Sequence, residues 1–325
     1  MHAIGIDIGG TKIAGALVDE FGALVDYQRV PTDAADPAAL ESAAVAMVQS
    51  LAAGRELPVG VAAAGFIDAG QSVVYYAPNI RWRNEPIRQH LEARLHLPVI
   101  VENDANAAGW AEFRYGAGRL ASDMVMITSG TGVGGAIVAD DRLLRGGFGV
   151  AGELGHLRVV PDGLPCGCGA RGCIEQYGSG RALLRMANAI ADGGGIGTPL
   201  AEARAENGGA LDGTIVAALI SDDDPGALAA LRQLGNWLGQ AAASLSAVLD
   251  PQLFVFGGGV AESGERLLQP IRSAYLDHLP ARGYHPEPTF ATAELGNDAG
   301  VVGAADLARL HFGEPLHQYS LRPEA

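Results

Sequence analysis

The chain has little cysteine, almost no lysine, few aromatic residues and no long apolar run, and each shortage excludes something. Among 325 residues there are three cysteines. An odd count cannot close into intramolecular disulfides, so a secreted disulfide framework is not expected. No run of eighteen apolar residues occurs, so no transmembrane helix is expected. The opening Met-His-Ala-Ile-Gly-Ile-Asp has neither the basic nor the apolar region of a signal peptide, which makes a cytoplasmic protein the expectation. Positive charge is short too: 22 Lys and Arg stand against 37 Asp and Glu, a net charge of -15. Such a chain is not expected to hold DNA or another polyanion by a broad electrostatic face. A local nucleotide site stays open to it. Lys12 is the only lysine, and the remaining basic residues are all arginine.

What is present begins with a cluster. Cys166, Cys168 and Cys173 lie in Cys-Gly-Cys-Gly-Ala-Arg-Gly-Cys, with His156 upstream. Three thiolates and one imidazole make a complete tetrahedral zinc set, and the interleaved glycines let the backbone turn tightly enough for the sulfurs to converge. The alternative is three incidental core thiols. A loop held rigid by a metal would aim its neighbours Glu153, His156 and Glu175. The hydrophobic share of 48% suffices for a core, and the length suits two domains, because single cores stop growing near ~250–300 residues.

Along the chain, Ile4, Ile6 and Ile8 alternate with Gly5 and Asp7 as in a strand. Gly9-Gly10-Thr11-Lys12 turns the chain into a returning strand, Ile13 to Val18. Asp36-Pro37 opens a helix toward Gly54. Further helices are expected over 84–97, 105–115, 180–192, 225–249, 262–279 and 298–310. Strands are expected over 59–63, 98–101, 124–128, 136–139 and 253–256. The Gly- and Ala-rich stretch 193–213 reads as including a flexible loop, and the tail after Gly313 as frayed. Asp7-Ile-Gly-Gly-Thr-Lys and Ser129-Gly-Thr-Gly-Val-Gly-Gly135 both read as strand, glycine turn, strand. An internal duplication giving two related α/β domains is one reading.

Three glycine-rich turns follow apolar strands, near residues 9–12, 130–135 and 257–259. Exposed N–H groups in such turns make anion nests. One of the turns carries the lone lysine, and Thr11 and Thr131 sit in two of them, which favours a nucleoside triphosphate. Gly130, Gly132 and Gly135 also match the spacing of a dinucleotide fingerprint. That match requires a following helix, and Ala136 to Ala139 reads as a strand. Asp7 could hold Mg²⁺ through water or bond turn amides. Glu102-Asn103-Asp104-Ala105-Asn106 lies between a strand and a helix, where ligands gather in α/β sheets. Asp104 there is the candidate general base for phosphoryl transfer to a hydroxyl; the alternative is that Asn103 or Asp104 only caps the helix. Glu153, His156 and Glu175 suit the hydroxyls of a sugar ring. For His156 and Glu153 the alternatives are a metal ligand only and a solvated surface charge.

Taken in order, Asp7-Ile-Gly-Gly-Thr-Lys12, Glu102-Asn-Asp-Ala-Asn-Ala107, Gly130-Thr-Gly-Val-Gly-Gly-Ala-Ile137, Glu153-Leu-Gly-His156 and Cys166-Gly-Cys-Gly-Ala-Arg-Gly-Cys-Ile-Glu175 resemble the ROK family of sugar kinases and sugar-responsive repressors. The resemblance covers almost the whole chain. It implies an actin/hexokinase-like fold of two α/β domains closing over ATP and a hexose. The small domain would be 1–115 completed by a C-terminal helix 298–312, and the large domain 116–297 with the zinc-stapled loop. Asp104 resembles the family's catalytic base. Gly65, Asn79, Asn103, Glu153, His156 and Glu175 resemble its sugar-binding residues, although Ala64-Gly65 stands where many members have Pro-Gly. Asp7, Gly9, Gly10, Thr11, Lys12, Thr131, Gly132, Gly258 and Gly259 would meet the nucleotide, and His156, Cys166, Cys168 and Cys173 match the zinc ligands. The implied activity is ATP- and Mg²⁺-dependent phosphorylation of glucose at its 6-hydroxyl, as in the family's glucokinases. N-acetylmannosamine, N-acetylglucosamine or fructose are alternative substrates, polyphosphate is an alternative donor, and a non-catalytic sugar sensor is the alternative of another class. Family repressors carry a helix-turn-helix before the first strand. That strand starts here at residue 3, so neither a DNA-bound repressor nor a membrane partner is expected. The resemblance suggests a homo-oligomer, dimer or tetramer.

Overall fold

A computed structural model of the chain describes residues 1–32 and 34–313. The tail expected to fray lies outside the described residues. Two compact α/β units emerge. The first takes in Met1–Tyr115, a short return segment Arg145–Ala151 and residues 297–313; the second is Gly116–Leu144 with Gly152–Gly296.

The first unit is built on a five-stranded sheet. Its order is Leu24–Pro31, Lys12–Val18, Ala3–Ile8, Val59–Ala63, Val99–Asn103. The first three strands run antiparallel and the last two lie parallel to Ala3–Ile8. The alternation of Ile4, Ile6 and Ile8 with Gly5 and Asp7 gives this sheet two different faces. On the isoleucine face Ile6 and Met47, from helix Pro37–Ala52, fill the space a side chain at Gly15 would need. On the other face Gly5 and Gly60 pair side by side, and a Cβ at either would strike the Val301 or Ala304 carbonyl of helix Ala299–Phe312. The bare strands therefore let that helix rest directly on the sheet. Gly303 allows the same approach to Ala107 in helix Asp104–Tyr115. Buried Asp306 then locks the two helices, accepting from Trp110 Nε1 (2.9 Å), the Tyr115 hydroxyl (2.6 Å), Arg114 Nε (3.2 Å) and Arg309 Nη1 (3.0 Å). A buried carboxylate with four donors is stable where a bare one is not. Burial, followed by the Asp306 charge, pushes the Tyr115 phenol up to about 12.

In the second unit the sheet repeats the plan: Arg142–Leu143, Val133–Ala139, Met124–Ser129, Leu253–Gly257, Thr289–Thr292. Directions repeat as well, antiparallel on one side of Met124–Ser129 and parallel on the other. Its core includes Phe254 and Phe256 packed with Tyr275, Leu267 and Leu238. Helices Gly180–Asp192, Pro225–Leu249 and Glu265–His278 cover it, the first two capped by Ser179 and Asp224.

The start of one helix differs from the local reading. The helix expected from Asn84 begins only at Ile87, because Arg83–Glu85 pairs as a strand with Val74–Tyr76 and Pro86 supplies the start. The Gly- and Ala-rich stretch 193–213 includes irregular turns on both sides of helix Thr198–Glu206, whose Leu200 is fully buried. No helix among the described residues is long and apolar enough to cross a membrane.

Candidate active site

In the first unit the site residues gather at the ends of parallel strands. Strand Val99–Asn103 runs directly into helix Asp104–Tyr115. Asn103 caps that helix, its Oδ1 accepting from the Asn106 N–H at 2.9 Å. Its Nδ2 donates to the Gly65 carbonyl at 3.0 Å, so the cap also ties down the neighbouring loop. Gly65 has φ +153°, and a Cβ there would press on the Tyr76 carbonyl; glycine is needed at this close approach. Asp104 occupies the first helical position, its Oδ1 accepting from the Ala105 N–H at 2.9 Å. The side chain keeps some open surface, yet it lies deep among protein atoms. Burial raises its pKa above the ordinary 3.8, against the lowering effect of hydrogen bonds from Ala105 and its own amide.

Asp7 faces the same region. Burial, then the Asp104 charge, lifts its pKa from 3.8 to about 6, and Lys12 pulls the other way. Its carboxylate lies against Gly300 in the first turn of helix Ala299–Phe312. The turn that follows is closed by the Gly9 N–H donating to the Lys12 carbonyl at 3.0 Å. Thr11 and exposed Asn79 flank it, and Asn79 stands beside Gly10.

Sequence reasoning gave no role to Glu102, Gln71 or Arg145. Glu102 is 1% exposed. It accepts from the Asn103 N–H (3.0 Å), Asn106 Nδ2 (3.1 Å), Gln71 Nε2 (3.2 Å) and Arg145 Nε (2.6 Å). The Glu102-Asn103-Asp104 string pointed to the place, but nothing local pointed to its partners.

In the second unit the turn is only 130–132, joining strands Met124–Ser129 and Val133–Ala139, because 133–135, expected in the turn, already pair in the returning strand. A strand, not a helix, follows it, which removes the dinucleotide fingerprint. The Gly130 carbonyl accepts from the Gly180 N–H at 2.7 Å, and Arg181 Nε donates to the Thr131 carbonyl at 2.9 Å. Gly258 has φ +81° and sits on the Ser129 backbone, so the turn through Gly258 and Gly259 lies beside this one. Glu175 opens a short helix and lies against Gly132, near the Val133 N–H, Arg181 and the Cys166 sulfur. Arg181 is a further residue that the motifs did not single out.

Glu153-Leu-Gly-His156 forms a single 3-10 turn whose Gly155 rests on the Val133 carbonyl. Glu153 and His156 are half-buried on it. His156, Cys166, Cys168 and Cys173 converge so that their ligand atoms all lie within 4.8 Å of one another. Cys168 and Cys173 sulfurs are 3.7 Å apart, and Cys166 Sγ is 3.8 Å from His156 Nδ1. A tetrahedral zinc with Zn–S near ~2.3 Å requires S···S spacings of about 3.8 Å, so the donor set and its spacing fit that ion. Burial raises the Cys173 thiol, while a backbone hydrogen bond from Ala170 lowers Cys168.

Paired α/β units of one strand plan, with glycine turns at the strand ends, a helix-start carboxylate in one and a Cys3His cluster in the other, have the build of a sugar-kinase fold. The chain belongs to the ROK family, whose model matches residues 3–310. A glucokinase of Streptomyces coelicolor is 44% identical over 311 residues, covering 94% of this chain and 97% of that protein. An N-acetylmannosamine kinase of Escherichia fergusonii is 36% identical over 320 residues, covering 97% and 100%. A crystal structure of a ROK family glucokinase from Streptomyces griseus, in complex with glucose and AMPPNP, shares 44% identity and covers 95% of this chain and 99% of that one, with a TM-score of 0.84.

Proposed function

We propose that the chain transfers the γ-phosphoryl group of ATP to the 6-hydroxyl of glucose, giving glucose 6-phosphate and ADP. The observation that carries this reading is Asp104, a deep-set carboxylate of raised pKa at a helix start, beside a capping Asn103. Phosphoryl transfer needs a positioned acceptor for one proton and little other covalent help. Asp104 takes the proton of the 6-hydroxyl, the oxygen bonds to the γ-phosphorus, and the bond to the ADP oxygen breaks. A base of raised pKa accepts that proton more readily near neutral pH.

Gly65, Asn79, Asn103, Glu153, His156 and Glu175 bind the sugar in this proposal. Asp7, Gly9, Gly10, Thr11 and Lys12, with Thr131, Gly132, Gly258 and Gly259, hold the nucleotide. Mg²⁺ bound near Asp7 would neutralise developing charge on the phosphates. His156 and the three cysteines would hold a structural zinc, and the short turn from Glu153 to His156 would then keep Glu153 in place. A cytoplasmic location and a homo-oligomeric state, dimer or tetramer, complete the proposal; the first fits ATP as donor.

A coupled assay with a panel of hexoses tests it. Glucose is expected to give the highest kcat/KM, with ADP release dependent on sugar. A tenfold preference for N-acetylmannosamine would keep the chemistry and overturn the substrate. ATP turnover that ignores sugar would overturn both.

A further inference from the structure

Glu102 lies directly before Asn103 and Asp104 and, like Asp306, is a saturated buried carboxylate of the first unit. It is buried, and four donors occupy its two oxygens: the Asn103 N–H and Asn106 amide on Oε1, Gln71 Nε2 and Arg145 Nε on Oε2. An ionised carboxylate offers about four acceptor sites, so this one is saturated. Two of the donors belong to the cap and first turn of the helix that starts at Asp104. The strongest, by distance, comes from Arg145 at 2.6 Å.

Arg145 heads the return segment Arg145–Ala151, which belongs to the first unit. The Ala151 N–H donates to the Arg145 carbonyl at 3.0 Å, closing the segment on itself. Gly149, at φ +90°, seats it on the backbone of Ile67 to Ala69. Gln71 is fixed as well, its carbonyl accepting from the Val101 N–H at 2.9 Å in the strand that leads to Glu102. Glu102 is thus the point where strand, helix cap and return segment meet, one residue before Asn103 and two before Asp104.

We propose that the Glu102–Arg145 pair is a positioning device for phosphoryl transfer. Its negative end holds the Asn103 amide and the Asn106 side chain, so that the turn from strand to helix presents Asp104 in one geometry. Arg145 supplies the positive charge opposite the buried Glu102 carboxylate. Neither residue touches the reacting atoms. This inference rests on the glucokinase reading and on Asp104 as its base.

The test compares Glu102→Gln, Glu102→Asp, Arg145→Met and the double variant Glu102→Gln/Arg145→Met with the parent enzyme. Readouts are kcat, KM for glucose and for ATP, and thermal unfolding. A misplacement near 1 Å costs on the order of a hundredfold in rate, so Glu102→Gln is expected to lower kcat about 10–100-fold with KM for ATP within about twofold. Glu102→Asp keeps the charge and is expected to recover part of the loss. The double variant is expected to be no slower than Glu102→Gln, because two residues acting as one unit do not add. A purely structural role predicts instead a lowered unfolding temperature with unchanged kcat per folded molecule, and that result overturns the proposal. Should Glu102→Gln yield no folded protein, Arg145→Met decides alone: a kcat within about twofold of the parent overturns the proposal, and a selective kcat loss upholds it. Asp104→Asn runs alongside. If that variant keeps full turnover, the base assignment falls and the positioning role falls with it; if only the Glu102 and Arg145 variants keep full turnover, the base assignment stands and the positioning role alone is lost.

Discussion

Asp7 and Thr128 hold equivalent places in the two sheets. Each is the penultimate residue of a strand that runs antiparallel to one neighbour and parallel to another, and each precedes a glycine turn. In the first unit the place carries a carboxylate, lifted toward neutrality by burial and by Asp104. In the second it carries a hydroxyl that accepts from the Gly134 N–H at 3.2 Å. The difference extends outward. The first unit surrounds its strand ends with Asp7, Lys12, Glu102, Asp104 and Arg145, held by direct packing of helix Ala299–Phe312 on bare glycines. The second surrounds its own with glycine turns, Glu175 and a cluster of thiols and imidazole. One topology, used twice, gathers carboxylates and basic side chains at the strand ends of one unit and a Cys3His cluster in the other.

The largest break in that comparison should come from the first unit. Asp104→Asn removes the proposed proton acceptor but keeps size and helix-start geometry. General bases contribute about 10²–10⁴-fold, so kcat is expected to fall by that much while glucose still binds. A coupled assay and a binding titration measure the two separately; a kcat loss under about tenfold would remove Asp104 from the base role. The parent enzyme offers a linked check. Because burial raises the Asp104 pKa, turnover should drop on acidification at a pH above the ordinary carboxylate value of about 3.9. A profile flat down to pH 4 would contradict that.

The second unit should fail differently. Cys173 is fully buried and pairs closely with Cys168. Its replacement by serine takes one ligand from the set of four. Disturbing even the residues around metal ligands costs about 10–100-fold in affinity or activity, and KM for glucose is expected to rise by that range, with bound zinc lost. The kcat extrapolated to saturating glucose should change far less, since Asp104, the proposed base, belongs to the other unit. Metal analysis and a glucose titration decide it. An unchanged KM with zinc gone would show that the cluster does not order the sugar-binding turn.

Legibility in the sequence follows the same division. The metal cluster was readable because its four residues lie within one short stretch and the chemistry of the set is specific. The strand-to-helix junction at Asn103-Asp104 was readable from local pattern, and the bond from the Asn106 N–H shows Asn103 capping the helix, while Asp104 also accepts from the Ala105 N–H. What could not be read were partners remote in sequence. Gly5 and Gly60 look like weak points in strands until Val301 and Ala304 arrive against them. Arg145 finds Glu102 across 43 positions, and no periodicity records that. The start of helix Ile87–Leu95 was misplaced because strand pairing with Val74–Tyr76 overrides the propensity of Asn84 and Glu85. Local pattern reports what neighbours in sequence do; it is silent on which distant backbone comes to rest on a glycine.

The smallest expected effect returns to Asp7. A carboxyl moved from 3.8 to about 6 carries about 3 kcal/mol of penalty on its charged form. The positive end of helix Ala299–Phe312, whose Gly300 lies against Asp7, offsets part of this. The net cost expected at neutral pH is about 1–2 kcal/mol. Its sign with pH follows from proton binding. The folded state holds the Asp7 proton more tightly than the unfolded chain, so stability is fully present below about pH 4 and is lost as pH rises through about 6. Asp7→Asn cannot ionise and escapes that loss. It is therefore expected to be about 1–2 kcal/mol more stable than the parent at pH 7.5, with the advantage shrinking toward zero at pH 4. Denaturant unfolding at the two pH values measures it. A gain of the same size at both would assign the effect to packing, and a loss at pH 7.5 would mean that the ionised Asp7 is held by contacts strong enough to outweigh its burial. Placing such a group where Thr128 stands in the sister sheet makes sense only if its charge is used, so the same variant should weaken nucleotide binding while it strengthens the fold.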